Sequence, residues 1–236
     1  MSIADNLAKV RERISRAAER AGRRPDEITL VGVTKYVGTA EADQLILAGC
    51  ADLGESRPQE LWQKAGEVAS TAGSSPVRWH LIGHLQRNKI RRTLPLVYMI
   101  HSVDSERLLA AIDEELGVTG ARQTGPLKVL LEVNTSGEGG KHGLSPDAVE
   151  PLLASAMKWS HLELCGLMTM AALEGGPAVA GRNFAALREL RDRLRPLAPA
   201  GMHFDELSMG MSGDFEVAIA EGATIVRIGS ALWENV

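Results

Sequence analysis

The sequence predicts an α/β fold, a single (β/α)8 TIM barrel with an extra helix at its N-terminus. Three observations carry that expectation. Eight β-like runs alternate with helical ones in strict β-then-α order, and no hairpin signal joins neighbouring strands. Several strand candidates are short continuous apolar runs, the pattern of parallel strands covered on both faces. The length, 236 residues, suits one barrel, which fills roughly 250 residues. A doubly wound open sheet is the alternative, because a sequence does not show closure. No long linker or short-period repeat interrupts the chain, so residues 1–236 are read as one domain.

The first element is a helix. Ile3, Leu7, Val10, Ile14, Ala17, Ala18 and Ala21 recur at helical spacing before any strand, and Gly22 closes this leading helix, residues 1–22. The arginines along it read as a solvated face, because acidic residues are interspersed among them. Strands are expected at 28–35, 51–54, 78–85, 97–103, 127–135, 162–170, 204–211 and 224–232. Helical stretches lie between them at 40–49, 57–72, 87–93, 104–116, 146–158, 179–195 and 214–221.

Composition narrows the function classes. A net charge of −4 argues against a general nucleic-acid binder. The longest apolar run, residues 94–100 with Pro95 inside it, is far short of a membrane span. Two cysteines, Cys50 and Cys165, form neither a disulfide framework nor a zinc site by themselves. The N-terminus lacks an apolar signal core, and Asp5, Glu12 and Glu19 speak against a transit peptide. A cytoplasmic location is expected.

In a barrel, chemistry belongs at the C-terminal strand ends. Val31, Val33 and Lys35 share one face of the first strand, so inward valines would place Lys35 at the mouth. Such a lysine can offer a free amine for a Schiff base; a strand-end lysine snorkelling to solvent is the competing reading. The loops after the last two strands carry Ser212, Gly213, Gly229 and Ser230. Those loops are the usual phosphate site of this architecture, and glycine lets backbone N–H groups approach an anion; turn glycines and capping serines without a ligand are the alternative. Arg227 shares a face with Ile225 and Gly229, and Glu132 and Asn134 alternate with Leu130, so all three are expected to point inward. A link between Arg227 and Glu132, direct or through water, is expected, since neither charge is tolerable alone.

Two patterns are discounted. Residues 137–143 resemble a Walker A loop, but the glycine spacing is too short and His142 stands where magnesium needs Ser or Thr. The segment reads better as a mobile lid. His80 and His84 lie four apart on a strand with no carboxylate near in sequence, so no metal site is expected.

Together these blocks resemble the pyridoxal phosphate homeostasis proteins of the YggS/PROSC type, related to the N-terminal barrel of alanine racemase. The resemblance rests on Val33-Thr34-Lys35, Leu53-Gly54-Glu55-Ser56 with Gln59-Glu60, and the Trp79-His80-Leu81-Ile82-Gly83-His84-Leu85-Gln86-Arg87-Asn88-Lys89 run. It continues through Val133-Asn134-Thr135-Ser136 with Lys141 and Gly143, Gly166-Leu167-Met168, Ser208-Met209-Gly210-Met211-Ser212 with Asp214, and Val226-Arg227-Ile228-Gly229-Ser230. It implies pyridoxal 5′-phosphate (PLP) held as a Schiff base on Lys35. Ser212, Gly229 and Ser230 would hold its phosphate, and Arg227 would face the pyridine nitrogen. It also implies cofactor-binding positions at Ser56, His80 and Met209. Ser56 departs from the family's Gly-Glu-Asn, which leaves room for a water in place of the amide.

The same resemblance divides carrier from enzyme. A racemase needs an acid/base on each side of the substrate α-carbon. In the related racemases the second is a tyrosine from another domain, whereas this chain ends at Val236, close after the eighth strand. Tyr36 is expected to point away from the mouth, as the strand neighbour of Lys35. A cationic Arg227 also makes the pyridine ring a weaker electron sink. The expectation is a monomeric PLP-binding protein without catalytic residues. It would buffer the cofactor or deliver it to apo PLP-dependent enzymes, with indirect effects on amino-acid and keto-acid metabolism. The alternatives are a weak PLP-dependent amino-acid racemase and a class I aldolase-type barrel acting on a phosphosugar.

Overall fold

The computed structural model describes residues 2–68, 77–120, 125–138 and 142–236. The leading helix, α1 (Ile3–Arg20), starts with a capping box. Ser2 Oγ accepts from the Asp5 backbone N–H, and the Asp5 carboxylate accepts from the Ser2 N–H. Its apolar stripe of Ile3, Leu7, Val10 and Ile14 is buried. Asn6 on the same helix donates to the carbonyls of Leu232 and Glu234, at 3.1 and 2.9 Å, tying both ends of the chain together.

Eight parallel strands then form a closed barrel in sequence order. They are β1 (Thr29–Val33), β2 (Asp52–Glu55), β3 (Arg78–Leu81), β4 (Met99–Val103), β5 (Leu127–Glu132), β6 (Leu162–Met168), β7 (Glu206–Ser208) and β8 (Ile225–Ile228). The intervening helices are α2 (Thr39–Leu47), α3 (Pro58–Val68), α4 (Ile90–Thr93), α5 (Glu106–Thr119), α6 (Pro146–Ala154), α7 (Gly176–Leu194) and α8 (Phe215–Ala220). Pairing of β1 with β8, Thr29 opposite Ile225 through Gly32 opposite Ile228, closes the sheet. The open-sheet alternative is thereby excluded.

Two apolar cores result. The larger fills the layer between strands and helices. The smaller fills the barrel bore with Val31, Met99, Leu130, Cys165, Met168 and Ile225. Val31 and Ile225 point inward as their strand parity predicts, which sets the inward direction for Val33 and Arg227 nearer the mouth. Several strands end earlier than the apolar pattern suggests: β1 at Val33, β3 at Leu81, β7 at Ser208 and β8 at Ile228. The apolar residues beyond, Leu85, Met209 and Leu232, are fully buried in the loops and turns after those strands. Burial, not the ladder, explains their hydrophobicity. No helix among the described residues is long and apolar enough to cross a membrane.

Candidate functional site

The mouth of the barrel holds a cavity of about 560 Å3, within the usual range for small-molecule sites. Lys35, Tyr36, Ser56 and Gly83 line one side, and Ser212, Gly213, Arg227, Gly229 and Ser230 line another. Six of the expected site residues therefore meet in one place: Lys35, Ser56, Ser212, Arg227, Gly229 and Ser230. A second cavity, about 490 Å3, lies among turns at the N-terminal face beside Arg11, Asp52 and Arg78. This architecture uses that end for stability rather than chemistry.

Lys35 stands two residues past the end of β1, and the chain there is pinned on both sides. Trp233 Nε1 donates to the Val33 carbonyl at 3.0 Å. Lys64 Nζ, from α3, donates to the Thr34 carbonyl at 2.6 Å and pairs with the Glu55 carboxylate. Thr34 Oγ1 donates to Glu55 Oε1 at 2.7 Å. Lys64 is only 4% exposed, so this is a buried ion pair in which Glu55 Oε1 is shared by Lys64 and the Thr34 hydroxyl, while Glu55 Oε2 is buried without a hydrogen-bond partner among the described residues. The Lys35 side chain itself is exposed, with Nζ 4.8 Å from the Tyr36 ring centroid.

Tyr36 corrects the sequence expectation. It lines the mouth rather than turning away from it, because the strand alternation stops at Val33 and the next residues form a turn.

Arg227 is 4% exposed at the floor of the cavity. Its Nη1 donates to Ser208 Oγ at 2.7 Å and its Nη2 to the Thr169 carbonyl at 2.9 Å. Burial pulls its pKa down to about 10, against the opposing fields of Asp214 and Glu132. It remains a cation at neutral pH. No direct hydrogen bond or ion pair joins it to Glu132 among the described residues; the guanidinium bonds to Ser208 and Thr169. Glu132 is buried at the end of β5, and burial, with the Asp104 carboxylate second, pushes its pKa up. Asn134 serves its own loop, with Oδ1 accepting from Ser136 Oγ and the Gly137 N–H.

The loops after β7 and β8 form an oxygen-binding cradle. Ser212 Oγ accepts from the backbone N–H groups of Gly229 at 3.1 Å and Ala231 at 3.3 Å, so two donors converge on one oxygen. A Cβ at Gly213 would meet nothing within 4 Å, and one at Gly229 only an ordinary 3.5 Å contact with Val33. Protein packing does not demand glycine at either position, and the space they leave opens onto the cavity. Gly210 is different. Its φ of +90° and the 2.6 Å approach a Cβ would make to Ala218 require glycine where the loop turns back onto α8.

His80 and Met209 are not among the residues lining the cavity. His80 is 1% exposed inside the barrel, 2.9 Å from Asp52 Oδ1 and 2.9 Å from His101 Nε2. It faces the bore below the mouth. Met209 is packed in the layer outside the sheet. The segment expected to form a lid, 137–143, lies partly outside the described residues, at 139–141. Reading the sequence missed Lys64, Trp233, His101 and Ser208. Only His101 left a signal, as a lone imidazole inside the apolar run Met99-Ile100-His101-Ser102-Val103.

The described geometry has close relatives. Residues 6–234 match the model of the alanine racemase N-terminal domain. A "pyridoxal phosphate homeostasis protein" of Pseudomonas aeruginosa is 39% identical over 234 residues, covering 98% of this chain and 95% of that protein. Among solved structures, a protein described as unknown from Bifidobacterium adolescentis superposes with a TM-score of 0.89 at 39% identity, covering 98% of this chain and 94% of that one. PipY of Synechococcus elongatus PCC7942, solved with PLP bound, gives a TM-score of 0.83 at 32% identity, covering 98% of this chain and 99% of that one.

Proposed function

The chain belongs to the pyridoxal phosphate homeostasis proteins, within the alanine racemase N-terminal domain family, and from that membership we propose that it binds PLP reversibly at the mouth and buffers or delivers it. One observation carries the reading. An amine held on a pinned turn, Lys35, and the Ser212–Gly229–Ser230 loops, where backbone N–H groups converge on Ser212 Oγ, face the same cavity.

The cofactor brings an aldehyde carbon open to attack by a primary amine, and a phosphate monoester. The chain's own residues match that chemistry. Lys35 Nζ supplies the amine and the covalent hold. The N–H groups around Ser212, Gly229 and Ser230 accommodate phosphate oxygens, the Ser212 hydroxyl turning to share them. Arg227 offers a fixed cation at the cavity floor, where it accepts no proton and releases none at neutral pH. Ser56 lines the wall where the related proteins carry Asn, with space for a bridging water.

The same residues favour holding over turnover. Lys35 Nζ lies 4.8 Å from the Tyr36 ring centroid, so the amine and this phenol sit on one edge of the cavity rather than on opposite faces of a substrate carbon. The proposed protein therefore acts as a monomeric carrier without catalytic residues, its partners being PLP and apo PLP-dependent enzymes.

The test is a transfer assay. Chain loaded with PLP and passed through a desalting column should reactivate an apo PLP-dependent enzyme, and prior reduction of the loaded chain with borohydride should abolish this. Failure to retain any PLP would overturn the reading. Deuterium exchange at the α-carbon of a panel of amino acids, steady and dependent on Lys35, would replace the carrier by a racemase.

A further inference from the structure

Two motifs discounted in the sequence come together in the fold. The strand turns His80 into the bore and leaves His84 at the mouth, so the His80/His84 pair is split. His84 follows β3, Asp104 follows β4 and His142 lies in the loop after β5, three adjacent strands of the closed barrel. One ligating atom from each lies within 4.8 Å of the other two. His84 Nδ1 is 3.4 Å from Asp104 Oδ2, and the His84 and His142 rings stack with centroids 5.3 Å apart and planes at 21°. From this cluster we propose that His84, Asp104 and His142 bind a divalent transition-metal cation, zinc above all, on the far side of the mouth from β8.

Two imidazole nitrogens and one carboxylate are a zinc donor set, with three protein ligands and a fourth position left for water or another oxygen. Ligand bonds of about 2.0–2.1 Å around a tetrahedral ion place donor atoms roughly 3.4 Å apart. The cluster therefore needs to draw in by a little over an ångström from its widest spacing. Its members have that freedom, since His84 and His142 are exposed and Asp104 is partly so. Electrostatics favours the same occupant. The buried Glu132 carboxyl stands in the field of Asp104, His84 and His142, and its pKa is raised by burial and by Asp104. A dication among these groups offsets the repulsion between the two carboxyls. The site does not depend on the PLP reading, because it shares no residue with the Lys35 cavity.

The experiment is metal analysis of the tag-free full-length chain, equilibrated with zinc and then desalted, beside His84→Ala, Asp104→Asn and His142→Ala. The expected result is close to one zinc per chain in the wild type. Each variant should bind zinc more weakly by over about tenfold, since loss of a ligand must exceed the loss of an outer partner. Cobalt substitution should give the wild type a visible ligand-field spectrum that His142→Ala lacks. His142 sits on an exposed loop, so circular dichroism of that variant should match the wild type. Wild-type chain that retains no zinc, or His142→Ala chain that retains as much, overturns the proposal.

Discussion

His80 Nδ1 lies 2.9 Å from His101 Nε2 inside the barrel, and the contact joins two ends of one buried hydrogen-bond chain. His80 Nε2 meets Asp52 at 2.9 Å, and His101 Nδ1 meets Ser208 Oγ at 2.8 Å. Arg227 has only donors and Asp52 only acceptors, so one donor-to-acceptor order satisfies every link. Arg227 donates to Ser208, Ser208 to His101, His101 to His80, and His80 to Asp52. A fixed cation at the mouth is thus linked through Ser208 and two imidazoles to a carboxylate near the opposite end, itself paired with Arg78.

A neutral His101 makes stability depend on pH. Burial, with His80 and Arg227 adding to it, holds its pKa well below the usual value. The unfolded chain takes up a proton there near pH ~6.5 and the folded chain does not, so this stability is lost as pH falls below about 6.5. Asp52 acts in a lower window. Burial opposes its charge, but hydrogen bonds from Arg78 and His80 pull its pKa down to about 2. Its contribution is present above the unfolded value near ~3.9 and lost below it. Between about pH 7 and about pH 5.5, urea unfolding should show the wild type losing about 1 kcal/mol more than His101→Gln, whose amide serves the same neighbours. Equal losses contradict a neutral His101.

Lys64→Met removes the cation of a buried ion pair and leaves the buried Glu55 carboxylate with only the Thr34 hydroxyl as donor. The cost should be about 3–5 kcal/mol in urea unfolding. PLP affinity should fall as well, because the turn carrying Lys35 is released. A variant that unfolds like the wild type would show the pair to be dispensable.

Gly210→Ala forces a side chain into a left-handed backbone and against Ala218 and Phe215. The backbone alone should cost about 1–2 kcal/mol, and the thermal midpoint should drop further through the clash. An unchanged midpoint would mean that the loop after β7 relaxes freely.

Ser212→Ala deletes an oxygen on which two N–H groups converge. PLP affinity, read by absorbance titration, should weaken by about tenfold, equivalent to about 1.4 kcal/mol. Inorganic phosphate should compete with PLP for the wild type. An unchanged affinity places the phosphate elsewhere.

Much of the fold and site was legible in the residues, and the limits have physical reasons. Strand order and inward parity could be read at Val31, Ile225 and Arg227, because a parallel barrel strand obeys a local period of two. Tyr36 escaped the rule, since the ladder stops at Val33 and the chain turns, while Thr34-Lys35-Tyr36-Val37 carries no turn residue to mark the stop. Lys64 reads as an ordinary polar helix residue; only packing of α3 on β2 brings it to Glu55 and Thr34. The inward direction of Arg227 follows from strand parity, but its direct partners Ser208 and Thr169 are set by β6 and β7 in space and leave no local signal. The His84–Asp104–His142 cluster was split between two motifs, neither of which holds a metal alone.

The central claim is that Lys35 holds the cofactor. The direct measurement is borohydride reduction of the PLP-loaded chain followed by peptide mass mapping. The predicted result is one reduced PLP adduct per chain, on the peptide containing Lys35, and no adduct in Lys35→Ala at the same cofactor ratio. An adduct confined to another lysine, or undiminished labelling of Lys35→Ala, would contradict it.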